Sequence, residues 1–203
     1  MARPRSQPRG DATARALLEA ARAEFARRGF AGASVRTIAR RARANPALVR
    51  YHFGSKAGLH AKVLEVALGR LRERLVGALL AETTLAGRAR AVVSAYLDHL
   101  AADRDLPRLI QRALLDRDRR GLAAVLAGLA PLVAAARFAA AAPPPPGVED
   151  AALSLFGAAI APFLYAPLVS GLLGIDVEAP AFIARRRRHL EALVDALAED
   201  LLP

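Results

Sequence analysis

The sequence predicts an all-α protein. Apolar residues recur at the three- and four-residue spacing of helices along most of its 203 residues, and no segment shows the alternation of a half-buried strand. Residues typical of helix boundaries lie at the edges of these periodic segments, among them Gly29, Ser34 and Asn45. The chain contains no cysteine, which excludes disulfides, thiolate nucleophiles and cysteine-based zinc sites.

The first predicted helix spans residues 13–28. Leu17, Ala21 and Phe25 share one face of it, and Gly29 is expected to end it. Residues 1–10 contain three arginines among prolines and lack the apolar run of a signal peptide. They predict a disordered basic arm.

The segment that begins at Ser34 predicts two short helices joined by a tight turn. Ser34 is expected to cap a helix over residues 35–42, after which the apolar pattern is interrupted. Asn45 followed by Pro46 restarts a helix of about two turns, since asparagine suits the N-cap and proline the first helical position. A third helix begins at Lys56, behind a capping serine, and continues to about residue 80. This is the helix-turn-helix arrangement, which presents its second helix to the major groove of DNA.

Positive charge is concentrated in the same part of the chain. Residues 1–62 hold 14 Lys and Arg against 3 Asp and Glu, whereas residues 63–203 hold 16 of each kind. The codon bias of a GC-rich genome would spread arginine along the chain without depleting acids in one segment, whereas binding to DNA phosphates needs this asymmetry. We therefore predict that the N-terminal third binds double-stranded DNA, with the arm at residues 1–10 either a solvated tail or a minor-groove contact.

Two motifs within residues 12–66 resemble the DNA-binding domain of the TetR family of transcriptional repressors. They are IAxxA at residues 38–42 and YHFGSKxxL at residues 51–59. Arg43 replaces the usual turn glycine, at a cost of about 1 kcal/mol if it adopts a positive φ, and Arg50 replaces a frequent aromatic. The resemblance implies a homodimer whose C-terminal helices enclose a cavity, where a small molecule releases the protein from DNA.

The geometry of the motif assigns roles to its polar side chains. Arg36, Asn45 and Arg50 are candidates for base edges, and Ala47 and Leu48 for contact with a thymine methyl group. Phosphate contacts are expected from Lys56, from the start of the third helix, and from Ser34, Tyr51 and His52. A packed core position is the alternative for Tyr51. The complete predicted DNA-binding set is Ser34, Arg36, Thr37, Asn45, Pro46, Ala47, Leu48, Arg50, Tyr51, His52 and Lys56.

Five further helices are predicted in the C-terminal part. They cover residues 85–103, 106–115, 119–140, 149–173 and 181–202, with Pro131 expected to kink or divide the third and Pro143 to Pro146 forming a stiff connector. The 25 residues from Ala151 to Ile175 carry no charge, which fits either a membrane span or a helix buried between its own core and a second copy. An apolar stripe on the last helix favours a four-helix dimer interface.

Polar and aromatic groups within these apolar helices are candidates for contact with a small apolar or amphipathic effector. They are Tyr96, His99, Gln111, Arg112, Phe156, Phe163 and Tyr165. The run from Arg185 to Arg188 suggests an anion site, but we expect a solvated turn there.

Together these features predict a cytoplasmic homodimeric repressor. A disordered arm (1–10) precedes a helix-turn-helix DNA-binding domain (11–62) and a helical effector-binding and dimerisation domain (63–203). The histidines show no metal-binding spacing and no phosphate loop follows a strand, so we expect no enzyme, metal or cofactor. The alternatives are a membrane-associated helical protein with a basic domain and a nonspecific DNA-binding structural protein.

Overall fold

The computed structural model describes residues 7–116, 119–139 and 146–201, and these residues form ten helices and no strand. The predicted all-α class is therefore confirmed. The helices are α1 (Gln7–Gly32), α2 (Val35–Arg41), α3 (Ala47–Phe53), α4 (Lys56–Ala81), α5 (Leu85–Ala102), α6 (Leu106–Leu115), α7 (Arg119–Ala139), α8 (Val148–Leu164), α9 (Ala166–Leu173) and α10 (Pro180–Leu201).

The chain divides into two compact units. The first comprises residues 1–68 and 108–128, and the second comprises residues 69–107 and 129–203. The boundaries fall inside α4 and α7, so α6 and the first half of α7 cluster with the N-terminal segment. The sequence pattern did not predict that grouping.

In the first unit, α1 packs against α2 and α3 through fully buried side chains that include Leu17, Phe25 and Ile38. Helix α1 begins at Gln7, which corrects the prediction that residues 7–10 belong to a disordered arm. A proline in the first turn does not oppose this start, because the first N–H groups of a helix have no partner within it. Residues 1–6 of the predicted arm lie outside the described residues.

Gly29 interrupts α1 at the predicted position. Its φ and ψ of 69° and 179° leave the helical region, and one more turn follows up to Gly32. The N–H of Phe30 donates to the Asp116 carboxylate after the end of α6, at 2.6 Å. The Phe30 ring then packs beside Phe25 and the buried His60, so the chain turns back toward the core after Gly29.

In the second unit, α10 packs against α5 and α8. Ile183, Leu190 and Val194, part of the stripe that we assigned to a dimer interface, are buried by this packing. That assignment was wrong for these residues, because an apolar stripe is equally well covered by a helix of the same chain.

The predicted helix over residues 149–173 is two helices, α8 and α9, bent by 75° at Tyr165. Pro167 explains the break, since it has no N–H for the carbonyl of Phe163 and its ring clashes with that carbonyl in a continuous helix. By length and composition alone, residues 119–137 of α7 and the bent pair taken together are each apolar enough to cross a membrane.

Pro131 lies inside α7 without dividing it, contrary to one of the two predicted outcomes. Its missing N–H leaves the carbonyl of Ala127 without its helical partner. Both residues are exposed, so water can satisfy that carbonyl. Within the predicted connector, Pro146 forms a turn and the other three prolines lie outside the described residues.

Candidate nucleic-acid interface

Helix α2 begins where the sequence predicted. Ser34 is its N-cap, with an extended backbone (φ −114°, ψ 127°), but its hydroxyl makes no capping hydrogen bond. The predicted side-chain cap is therefore absent, and the exposed hydroxyl is available to a ligand. Ile38 and Ala39 face the core, which leaves Arg36 exposed on the opposite side.

The turn after α2 is a Schellman motif. The N–H of Ala44 donates to the carbonyl of Ala39 at 2.9 Å, and the N–H of Arg43 donates to that of Arg40 at 3.1 Å. Arg43 occupies the position usually taken by glycine, with a φ of 51°. The conformation suspected from the sequence is present.

Replacing Arg43 with glycine is expected to raise the free energy of unfolding by about 1 kcal/mol, because glycine adopts a positive φ without a steric penalty. Urea denaturation followed by circular dichroism would measure the change. Arg40→Gly is the matched control, since it removes the same side chain from helical backbone and should destabilise by about 1 kcal/mol. Equal destabilisation by both variants would show that the turn is not strained by arginine.

Helix α3 begins one residue later than predicted, at Ala47, with Pro46 as its N-cap. The side-chain oxygen of Asn45 accepts a hydrogen bond from the N–H of Ala47 at 2.8 Å. Bidentate recognition of adenine needs that oxygen as an acceptor. Asn45 is thus better placed to support the turn, with its amide N–H groups left for DNA.

One face of α3 is exposed to solvent. Ala47, Arg50 and Tyr51 project from it, whereas Val49 is buried and Leu48 half-buried. The Tyr51 side chain is 80% exposed, which overturns the alternative of a packed core aromatic. Its ring meets His52 edge-on with centroids 4.8 Å apart. The helix therefore presents a short row of side chains that includes one guanidinium and one phenol.

Helix α4 begins as the sequence predicted. The hydroxyl of Ser55 accepts a hydrogen bond from the N–H of Gly58 at 3.0 Å, which caps the helix. The Lys56 ammonium lies 4.6 Å from the Phe30 ring centroid and 3.4 Å from the carbonyl oxygen of Ala31. Lys56 thus holds the end of α1 through a cation–π contact as well as carrying charge at the start of α4.

A buried carboxylate that sequence analysis missed joins α1 to α2. Glu24 has no exposed surface, and its oxygens lie 2.9–3.3 Å from guanidinium nitrogens of Arg27, Arg28 and Arg41. Burial acts to raise the pKa of Glu24, but the hydrogen bond from Arg27 and the three positive charges lower it below its ordinary value. The only available signal was that Glu24 is one of just three acidic residues in a strongly basic segment.

The predicted effector residues lie on or next to several separate helices. Tyr96 and His99 are buried in α5, and burial raises the pKa of the Tyr96 phenol. Gln111 and Arg112 lie on α6 in the first unit. On α8 and after it, Phe163 packs edge-on against Phe182, whereas Phe156 and Tyr165 are more than half exposed, at 54% and 56%.

The four arginines from Arg185 to Arg188 do not form a solvated turn, because they lie inside α10. Arg187 bonds to the hydroxyl of Ser94 and to the Asp98 carboxylate, and Arg186 donates to the carbonyl of Ala158. No group of three histidine, aspartate or glutamate side chains in the described ranges is placed to hold a metal ion.

Residues 17–63, which contain α2, the turn and α3, match the model of bacterial regulatory proteins of the tetR family. The fold of nearly the whole chain is also similar to that of solved bacterial regulators. A proposed transcriptional regulator from Pseudomonas aeruginosa PAO1 is 26% identical, with a TM-score of 0.69 over 95% of this chain and 92% of that one. The matched segment and the shared fold together support the TetR family for this chain.

Two further comparisons give the same picture, one for the fold and one for the DNA-binding segment. A TetR-like regulator from Rhodococcus sp. RHA1 is 22% identical, with a TM-score of 0.69 over 92% of this chain and 96% of that one. The HTH-type transcriptional repressor SCO4008 of Streptomyces coelicolor is 51% identical over 55 residues. This chain spans only 29% of that repressor's length. TetR-family proteins are transcriptional regulators that bind DNA operators, and they are not enzymes.

Proposed function

We propose that this protein is a cytoplasmic homodimeric repressor that binds a palindromic operator through α3 and leaves it when a small apolar or amphipathic ligand binds. The observation that carries the proposal is the exposed face of α3, supported by α1 and α2 within the basic part of the chain. The DNA-binding domain is residues 11–62 and the effector and dimerisation domain residues 63–203.

Within this proposal the polar side chains divide by function. Arg36 and Arg50 are exposed and contact base edges, because a guanidinium pairs bidentately with guanine. Ser34, Tyr51, His52 and Lys56 contact phosphates and fix the position of α3 without specifying sequence. The remaining contacts come from Thr37, Asn45, Pro46, Ala47 and Leu48.

A second copy is the proposed partner of the exposed apolar surface on α8 and α9. Leu153, Phe156 and Leu172 are 69%, 54% and 75% exposed, and no charged residue lies between positions 151 and 175. A two-fold contact would cover this surface on both copies at once. One α3 helix contacts too few bases to specify a genomic site. The two α3 helices of a dimer contact both halves of a palindrome and so contact twice as many bases.

Selection of bound sequences from random duplex DNA tests the proposal, followed by affinity against salt for the selected duplex and a scrambled one. We expect a two-fold symmetric motif bound with nanomolar affinity near physiological salt. Enrichment of no motif, with only steeply salt-dependent binding, would favour the nonspecific DNA-binding alternative. A requirement for detergent during purification would favour the membrane-associated one.

Arg50→Ala is expected to relax sequence preference at one position in each half-site, at a cost of about 1–3 kcal/mol. The selection experiment repeated with the variant measures this. Arg74→Ala removes an exposed arginine from α4, outside the helix-turn-helix, and should leave the selected motif unchanged. An unaltered motif in both variants would show that Arg50 contacts no base.

Lys56→Ala is expected to weaken binding to every duplex alike and to lower the salt slope by about one unit. Because Lys56 also contacts Phe30 and Ala31, the variant should lose about 0.5–1 kcal/mol of folding free energy. Fluorescence anisotropy with selected and scrambled duplexes measures the first effect, and thermal unfolding the second. A loss confined to the selected duplex would contradict the phosphate role.

A further inference from the structure

A cavity lies between α8, α9 and α10 in the second unit. Its volume is about 620 Å³, within the range of pockets that hold small ligands. Leu168, Val169 and Leu173 of α9 form one wall, and Phe182 of α10 lies among the opposing residues. Of the residues assigned to the effector from the sequence, only Tyr165 lines this cavity. Its lining is mostly apolar, so an apolar chain or ring fits it.

Apart from the Tyr165 hydroxyl, the polar side chains of the cavity are basic. Arg185, Arg186 and His189 line it from α10, and none of the lining residues is acidic. Arg185 is exposed, with its guanidinium carbon 5.5 Å from the centroid of the Phe182 ring. By contrast, Arg187 on another side of the helix is paired with Asp98. An anionic group would therefore meet two cationic side chains and a histidine without meeting a carboxylate.

Arg186 supplies a second observation. In α8, Pro162 has no N–H for the carbonyl of Ala158, and the Arg186 guanidinium donates to that carbonyl at 2.5 Å instead. The Nε atom of the same guanidinium is buried and has no hydrogen-bond partner among the described residues. An unsatisfied buried donor is unfavourable, and a ligand oxygen that reached it would remove the penalty.

We propose that this cavity binds an amphipathic anion, a carboxylate attached to an apolar chain or ring, with the carboxylate at Arg185, Arg186 and His189. The inference rests on the proposed function, because it identifies this ligand as the effector that releases DNA. A second copy fits the cavity less well. The uncharged stretch of α8 and α9 on that copy would bring no acid to pair with these groups.

Calorimetric titration of the full-length protein with decanoate and with decanol, both below their aggregation concentrations, tests this assignment. We expect decanoate to bind about tenfold or more tightly than decanol, because charge-assisted hydrogen bonds contribute more than neutral ones. The double variant Arg185→Gln/His189→Gln, with both changes on exposed side chains, should lose this preference. Arg188→Gln is the matched control, since it removes one charge from the same helix outside the cavity.

Equal binding of the two probes, no binding of decanoate, or the same loss in the control would overturn the anion site. A change of oligomeric state in the double variant, measured by light scattering, would instead assign the cavity to a second copy. Anisotropy of a labelled operator duplex separates the two proposals. Decanoate that binds without releasing the duplex would support the site and overturn its effector role, whereas selective duplex binding without decanoate binding would overturn only the site.

Discussion

Gly29→Ala is expected to lower the free energy of unfolding by about 3 kcal/mol. The φ and ψ of Gly29, 69° and 179°, lie in a region that is almost restricted to glycine, where other residues cost about 1–3 kcal/mol. A Cβ atom there would also lie 2.5 Å from the Asp116 side-chain oxygen that accepts from Phe30. If Asp116 moves away, this hydrogen bond is lost. The cost of backbone strain and the cost of the lost hydrogen bond then both lower the free energy of unfolding.

Urea unfolding monitored by circular dichroism measures this change, and operator binding should weaken in parallel because α1 supports α2 and α3. Gly32→Ala is the control, since its added Cβ would only reach ordinary contact distance, 3.4 Å from the Cβ of Arg28. It should change stability by less than about 1 kcal/mol. Similar losses in both variants would contradict a special requirement at position 29.

With the proposed two-fold interface, Leu172→Glu is expected to separate the subunits and to lower affinity for the selected palindrome by about 100-fold or more. The new carboxylate would be buried on both copies of an apolar two-fold contact, and no cation there would pair with it. A monomer also loses the gain from binding two linked half-sites, which ranges from about 10² to 10⁴. Analytical ultracentrifugation and anisotropy measure the two effects.

Leu80→Glu is the control for this variant, because Leu80 is a leucine of α4 that is 55% exposed and outside the α8–α9 surface. It should leave both the dimer and the affinity unchanged. A Leu172→Glu protein that remains dimeric, or a wild-type protein that is monomeric at micromolar concentration, would contradict the proposed interface.

The features that sequence predicted best depend on a few neighbouring residues. The Ser55 cap and the turn at Arg43 are formed by hydrogen bonds within about five positions of the chain, and the break at Gly29 by the dihedral angles of that residue. Residue preferences at helix ends therefore predict such features directly from the sequence. For the same reason the helix boundaries after residue 84 agree closely with the predictions, apart from the break at Tyr165.

The features that sequence missed depend on distant partners. The apolar stripe of α10 showed that a face is covered but not whether its own chain or a second copy covers it. Lys56 contacts Phe30, and Glu24 contacts Arg41, only because the fold brings separate helices together. The effector candidates were chosen as polar groups in apolar segments, a pattern that internal packing at Tyr96 and Phe163 produces equally well.

Because Arg186 donates to the carbonyl of Ala158, the effect of replacing Arg186 on stability depends on which residue occupies position 162. While Pro162 is present, loss of the arginine leaves a helix carbonyl without any donor; once position 162 has an N–H, the same loss removes little. For folding stability the order of substitution therefore matters: Pro162→Ala followed by Arg186→Gln avoids a destabilised intermediate, whereas the reverse order passes through one. Among descendants of this chain, glutamine at 186 should accompany a non-proline residue at 162.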